Sequence, residues 1–168
     1  MVKPTTLAVL LAPLGALAGP MSRLSSRQLE QPPPCVREDP PPSEAETKAR
    51  FDKFANAFIV TKNITEAFLY IADDYINHNP AAENGAKSAW DILSPIWGDQ
   101  NITVLGTKFE GAQGWLHYTN AFGEIVDRFR WEAGCIAEHW DQGEVFPPDA
   151  STAALSYESD LVRALVGL

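Results

Sequence analysis

Two carboxylates and an imidazole, Asp127, His139 and Asp141, are the residues of this chain best suited to chemistry. A histidine within reach of an aspartate is the usual form of a tuned acid or base. Whether they meet depends on the turn between two alternating segments, 123–131 and 135–141, which read as strands. A three-residue loop, Glu132-Ala133-Gly134, ending on a left-handed glycine, pairs Trp131 with Cys135, Phe129 with Ala137 and Asp127 with His139. The other face then pairs Arg128 with Glu138, an opposite-charge pair suited to solvent. A two-residue loop would instead set Asp127 beside Trp140 and Phe129 beside Glu138, burying a carboxylate against an aromatic ring, so the first register is preferred. In that register Asp127, His139 and Asp141 share a face with Phe129 and Trp131, where such groups are costly unless paired or working.

His78, His117 and His139, the three histidines of the chain, all lie in segments that would build a cavity beside that face. Each candidate also has a plainer reading. His78-Asn79-Pro80 suits the end of a helix and a turn, and Asp127 could accept a hydrogen bond from a core tyrosine or tryptophan. The five tryptophans read as core more than as a ligand platform. No spacing among these residues is diagnostic of a metal, so neither metal nor cofactor is assigned.

The positioning elements follow from periodicity. From Glu44, Phe51, Phe54, Ala55, Phe58 and Ile59 fall on one helical stripe, with Ser43 as N-cap and Glu46 three residues on. A second helix from Asn63 is expected to bury Ile64, Ala67, Phe68 and Ile71, and a third to run over 84–93, stopped by Pro95. After Gly98 the period turns to alternation, with strands over 101–109, 114–120, 123–131 and 135–141. Helices followed by strands indicate an α+β fold, helices packed on an antiparallel sheet. In the tail from Pro147 a last helix is expected near 157–166.

The N-terminus has the order of an export signal. Lys3 precedes an apolar run over 7–17, and Ala16-Leu17-Ala18 offers small residues before a cut at Gly19. The run is shorter than the roughly 20 residues of a membrane span. Residues 1–18 therefore read as a signal peptide, 19–43 as a proline-rich linker or surface-hugging arm, 44–146 as the folded domain and 147–168 as a tail. Asn63-Ile64-Thr65 and Asn101-Ile102-Thr103 are glycosylation sequons, which have meaning only for an exported chain. In that compartment Cys35 and Cys135, the only cysteines, read as one disulfide that anchors the arm. A formal net charge of −9 with no basic cluster argues against nucleic acid and anionic membranes as partners. The expected product is a secreted, extracellular glycoprotein with one domain.

Asp73-Asp74-Tyr75-Ile76-Asn77-His78-Asn79-Pro80 resembles the Tyr-Ile-x-His-Asn-Pro signature of SnoaL-like proteins, within the nuclear transport factor 2-like superfamily. Residues 126–130 and 134–141 resemble that family's closing hairpin, and the likeness covers about 44–142. The resemblance implies a cone-shaped α+β barrel, N-terminal helices packed on a curved antiparallel sheet, with a pocket between them. It also implies relatives such as polyketide cyclases, ketosteroid isomerases and dehydratases, which move protons with Asp and His. His78, His139 and Asp141 match motif positions, Asp127 matches an aspartic acid that donates to an oxyanion, and His117 matches a strand histidine. Where the motif continues with an apolar residue and glutamine, this chain has Gln142-Gly143-Glu144, and no residue matches the isomerases' general-base aspartate.

Three readings follow. One is acid–base chemistry on a small apolar carbonyl compound, as isomerase, cyclase or dehydratase, with His139 or Asp141 as base and His78 and Asp127 steadying the enolate. Another is a secreted protein that binds a small apolar ligand unchanged. The last is an interaction protein with a vestigial pocket, a homodimer through the outer sheet face.

Overall fold

The first helix begins where its signals lie. In the computed structural model, which describes residues 29–148, Ser43 Oγ accepts from the Glu46 N–H and the Glu46 carboxylate accepts from the Ser43 N–H at 2.8 Å. This capping box opens α1, Glu44–Ala55. The helix continues as a wider π-helical turn, Asn56–Val60, closed by the Thr61 N–H donating to the Asn56 carbonyl. The widened turn buries Ala57, Phe58 and Ile59 in succession. A short α2, Ile64–Phe68, is capped by Asn63, and α3 spans Ala86–Leu93.

Four strands form the antiparallel part of the sheet. Numbering from the first strand in the chain, they are β2 (Thr103–Glu110), β3 (Gln113–Asn120), β4 (Gly123–Glu132) and β5 (Cys135–Trp140). Their bounds lie close to those expected from alternation. The expected second helix, however, ends at Phe68, and Ile71–Asn77 is a strand, β1, pairing parallel to β5. The sheet is therefore mixed, in the order β1-β5-β4-β3-β2, rather than antiparallel throughout, and it is open rather than closed into a barrel. In β1, Ile71, Ala72 and Tyr75 are buried while Asp73 and Asp74 are exposed, and its pairing shifts register between Ile71 and Ile76. The irregular pattern fits neither period, so the parallel strand was invisible to periodicity.

The arm runs along β1. Cys35 bridges to Ala72, its N–H donates to the Ile71 carbonyl at 2.8 Å, and its sulfur is bonded to Cys135. Arg37 pairs with Asp74 at 2.8 Å, and Glu38 with Arg50. The described part of the arm follows the surface and shields part of the sheet edge that β1 would otherwise present. The expected signal peptide, arm residues 19–28 and the tail from residue 149, with its expected helix, lie outside the described residues.

The β4–β5 turn corrects the expected register. It has two residues, Ala133 and Gly134, both left-handed at φ 47° and 83°, as a type I′ turn requires. Glu132 then faces Cys135 and Trp131 faces Ile136. A bulge at Ala137 shifts the remainder, so that Phe129 faces His139, and Arg128 faces Trp140 rather than Glu138. The aromatic core lies between α1 and this sheet, with Phe54 edge-on to Phe129 at 4.9 Å. Gly114 makes room for it: a Cβ there would lie 2.5 Å from the Phe51 ring.

Candidate functional site

The inner face of the sheet, α1 with its π-helical extension, and α3 enclose a cavity of about 280 Å³. Its walls are apolar, including Phe54, Phe58, Phe68, Leu93, Trp97 and Phe129. Asp127, His139 and Asp141 line it together. Alternation along β4 turns Asp127, Phe129 and Trp131 inward. The bulge at Ala137 gives β5 the phase that brings His139 to the same face. The grouping expected of these residues is thus present, reached through a different register.

Asp127 is 4% exposed. Its Oδ2 accepts from the Tyr118 hydroxyl at 2.8 Å, and its Oδ1 lies 2.9 Å from His139 Nε2. The His139 ring stacks at 4.8 Å on Phe129, and its Nδ1 is 3.3 Å from Asn77 Oδ1. That amide oxygen also accepts from the Asn79 N–H at 3.0 Å, which fixes which end of Asn77 faces the ring. Asn79 Nδ2 in turn donates to Asp141 Oδ2 at 2.5 Å. A continuous chain of bonds therefore runs Tyr118, Asp127, His139, Asn77, Asn79, Asp141. Asp141 Oδ1 is buried and has no partner among the described residues.

Burial, reinforced by the charge of Asp127, its hydrogen bond and the charge of Asp141, pushes the Tyr118 phenol far above its ordinary value. It stays protonated and donates. Burial, then the charges of Asp127 and Asp141, raises Tyr75 likewise. Asp127 Oδ2 is thereby occupied as the acceptor of the Tyr118 hydroxyl.

His78 and His117 are not in this cavity. His78 follows Asn77 out of the sheet, lies 2.9 Å from Glu138 and stacks on Trp140 at 4.5 Å. The His78 bond, followed by the Arg130 bond and charge, holds the Glu138 carboxyl below its ordinary value against the opposing effect of burial. His117 alternates with buried Leu116 and Tyr118, so it faces outward, 2.7 Å from Glu124. A strand that sends Tyr118 in must send His117 out. Reactive residue types did not single out Tyr118, Asn77 and Asn79, which hold the polar group in place; the signals for Tyr118 were the core-tyrosine reading of Asp127 and the alternation around His117.

Fold and site together define an α+β pocket protein: an open mixed sheet covering an apolar cavity with one polar end. Solved structures similar to this chain include proteins named for the superfamily that its two motifs resemble. An NTF-2 like protein of unknown function from Burkholderia xenovorans is 14% identical with a TM-score of 0.49, over 63% of this chain and 90% of its own. A SnoaL-like protein of unknown function from Burkholderia thailandensis is 14% identical with a TM-score of 0.46, over 61% of this chain and 97% of its own. An LEH-like epoxide hydrolase from M. tuberculosis is 16% identical with a TM-score of 0.47, over 76% of this chain and 100% of its own. No family model and no curated protein matches the sequence.

Proposed function

We propose that this chain is an exported pocket protein of the SnoaL-like kind, which binds a small apolar carbonyl compound and moves a proton on it. The observation that carries this reading is the buried Oδ1 of Asp141, without a partner among the described residues, at the polar end of an apolar cavity. A carboxylate oxygen without a donor is costly, and a substrate hydrogen is a fitting complement. Asp141 is the base, held by Asn79; Asp127 orients His139, and Tyr118 orients Asp127. His78 has no part in it, because its side chain lies outside the cavity. At about 280 Å³ the space is near the lower end of ligand pockets, roughly 300–1,000 Å³, so the substrate is small.

The test is deuterium exchange, followed by proton NMR, at the carbon next to the carbonyl in a panel of small apolar ketones. The protein is expected to accelerate exchange for at least one, and Asp141→Asn to lower that rate by two orders of magnitude or more, roughly the share of a general base. Exchange that Asp141→Asn leaves unchanged removes Asp141 as base.

A specific observation favours a second reading, binding without turnover. Both His139 nitrogens and both Asp127 oxygens already have partners within the protein. Such a fully bonded pair suits a fixed recognition group. Under this reading ligands bind with no exchange, and Ala89→Trp, which fills the cavity from α3, abolishes binding.

Export is part of the proposal. The exposed positions of Asn63 and Asn101 and the Cys35–Cys135 bond support it. No helix among the described residues is long and apolar enough to cross a membrane.

A further inference from the structure

We infer that Asp127, His139 and Asp141 form a binding site for a divalent transition-metal ion such as Zn²⁺ or Mn²⁺. One donor atom from each residue lies within 4.8 Å of the other two. The three come from two neighbouring strands and the segment just after β5. His139 Nε2 and Asp127 Oδ1, 2.9 Å apart, have nearly the separation of adjacent ligands on one ion, about 3.0–3.4 Å for metal–donor distances of about 2.1 Å.

The second observation is the outer shell. Each residue has its other polar atom held: His139 Nδ1 by Asn77, Asp141 Oδ2 by Asn79, and Asp127 Oδ2 by Tyr118. A metal-binding histidine ordinarily donates its far N–H to an oxygen, and ligating carboxylates are themselves hydrogen-bonded. What these bonds leave over is Nε2, Asp127 Oδ1 and the buried, partnerless Asp141 Oδ1. In the metal-free arrangement a proton between Nε2 and Asp127 does the joining. An ion would take its place, give Asp141 Oδ1 a partner, and send that proton to solvent.

One imidazole and two carboxylates are a borderline-to-hard donor set, which suits Zn²⁺ or Mn²⁺ and disfavours a soft ion such as Cu⁺. Three protein ligands leave a coordination position towards the cavity, the arrangement of a site open to water or substrate. Asp141 would then serve as a ligand, and the ion would supply an acidified water as base. The inference uses the same cavity as the proton-transfer reading but does not rest on it, since the test needs no substrate.

The full-length chain, freed of metal by chelator dialysis, is titrated calorimetrically with Zn²⁺ and, separately, Mn²⁺, in two buffers of different ionisation enthalpy. The expected result is one ion per chain with release of about one proton. Asp141→Asn and His139→Gln are expected to weaken uptake by more than about 100-fold, and Asn79→Leu, which keeps all three ligands, by roughly 10–100-fold. The double variant His78→Ala/His117→Ala, which removes the histidines outside the cavity, is expected to bind as the unaltered chain does. Absence of uptake of both ions by the unaltered chain overturns the inference. So does uptake that Asp141→Asn or His139→Gln leaves unchanged.

Discussion

Tyr118→Phe removes one hydroxyl and tests the hydrogen-bond chain at its most buried point. Tyr118 is 2% exposed and Asp127 4%, so solvent screening does not diminish the loss. The hydroxyl donates to Asp127 Oδ2 at 2.8 Å, and its removal strands a buried carboxylate oxygen. A hydrogen bond to a charged group contributes about 1.5–3 kcal/mol. The adjoining cavity can admit a water to the vacated position, which offsets part of the loss. The expected cost is therefore about 2 kcal/mol, or roughly 6–12 °C in Tm for a domain of this size. Urea unfolding of the oxidised protein, followed by tryptophan fluorescence, reads it as a lower midpoint with unchanged slope. The control is Tyr75→Phe, another buried tyrosine of the same cavity whose hydroxyl makes no hydrogen bond to Asp127. If Tyr118→Phe costs no more than this control, Asp127 does not depend on that donor and the orienting chain is wrong.

Three further outcomes are expected. Gly114→Ala puts a Cβ 2.5 Å from the Phe51 ring and should destabilise by about 1–3 kcal/mol in the same urea assay, with partial rescue by Phe51→Leu. Removing the disulfide with Cys35→Ser/Cys135→Ser should cost about 2–5 kcal/mol, and an unchanged urea midpoint would show that the arm is held without it. Because the folded Glu138 carboxyl sits below its ordinary 4.5, its stabilisation is present above that value and fades as pH falls through the lowered one. His78→Ala removes the leading cause, so NMR titration should find the Glu138 carboxyl moved back up; a titration identical to the unaltered chain's would exclude His78 as that cause.

How far the structure was legible depends on how local each signal is. The capping box at Ser43, the Phe51–Phe54–Phe58 stripe and strands β2 to β5 were readable because each rests on neighbours in sequence. β1 was not, because its two exposed aspartates follow two buried residues and its partner, β5, lies about sixty residues later. The hairpin shows a subtler limit. Both loop lengths weighed from sequence were regular, and the actual pairing combines the shorter turn with a bulge at Ala137. The inward set survived because the bulge restores the phase that the shorter turn changes.

Composition and pattern alone determined that helices precede strands and that Cys35 and Cys135 have only each other to pair with. These follow from the 3.6 and 2.0 periods and from counting, which need no knowledge of distant contacts. Tertiary structure decided which histidine works inward. His78, His117 and His139 are chemically alike, but the phase of β3 turns His117 outward, the exit of the chain from β1 carries His78 onto Trp140, and only His139 meets Asp127. It also decided that Asn77, Asn79 and Tyr118 close the polar chain, because partners sixty residues apart become neighbours only when β1 pairs with β5.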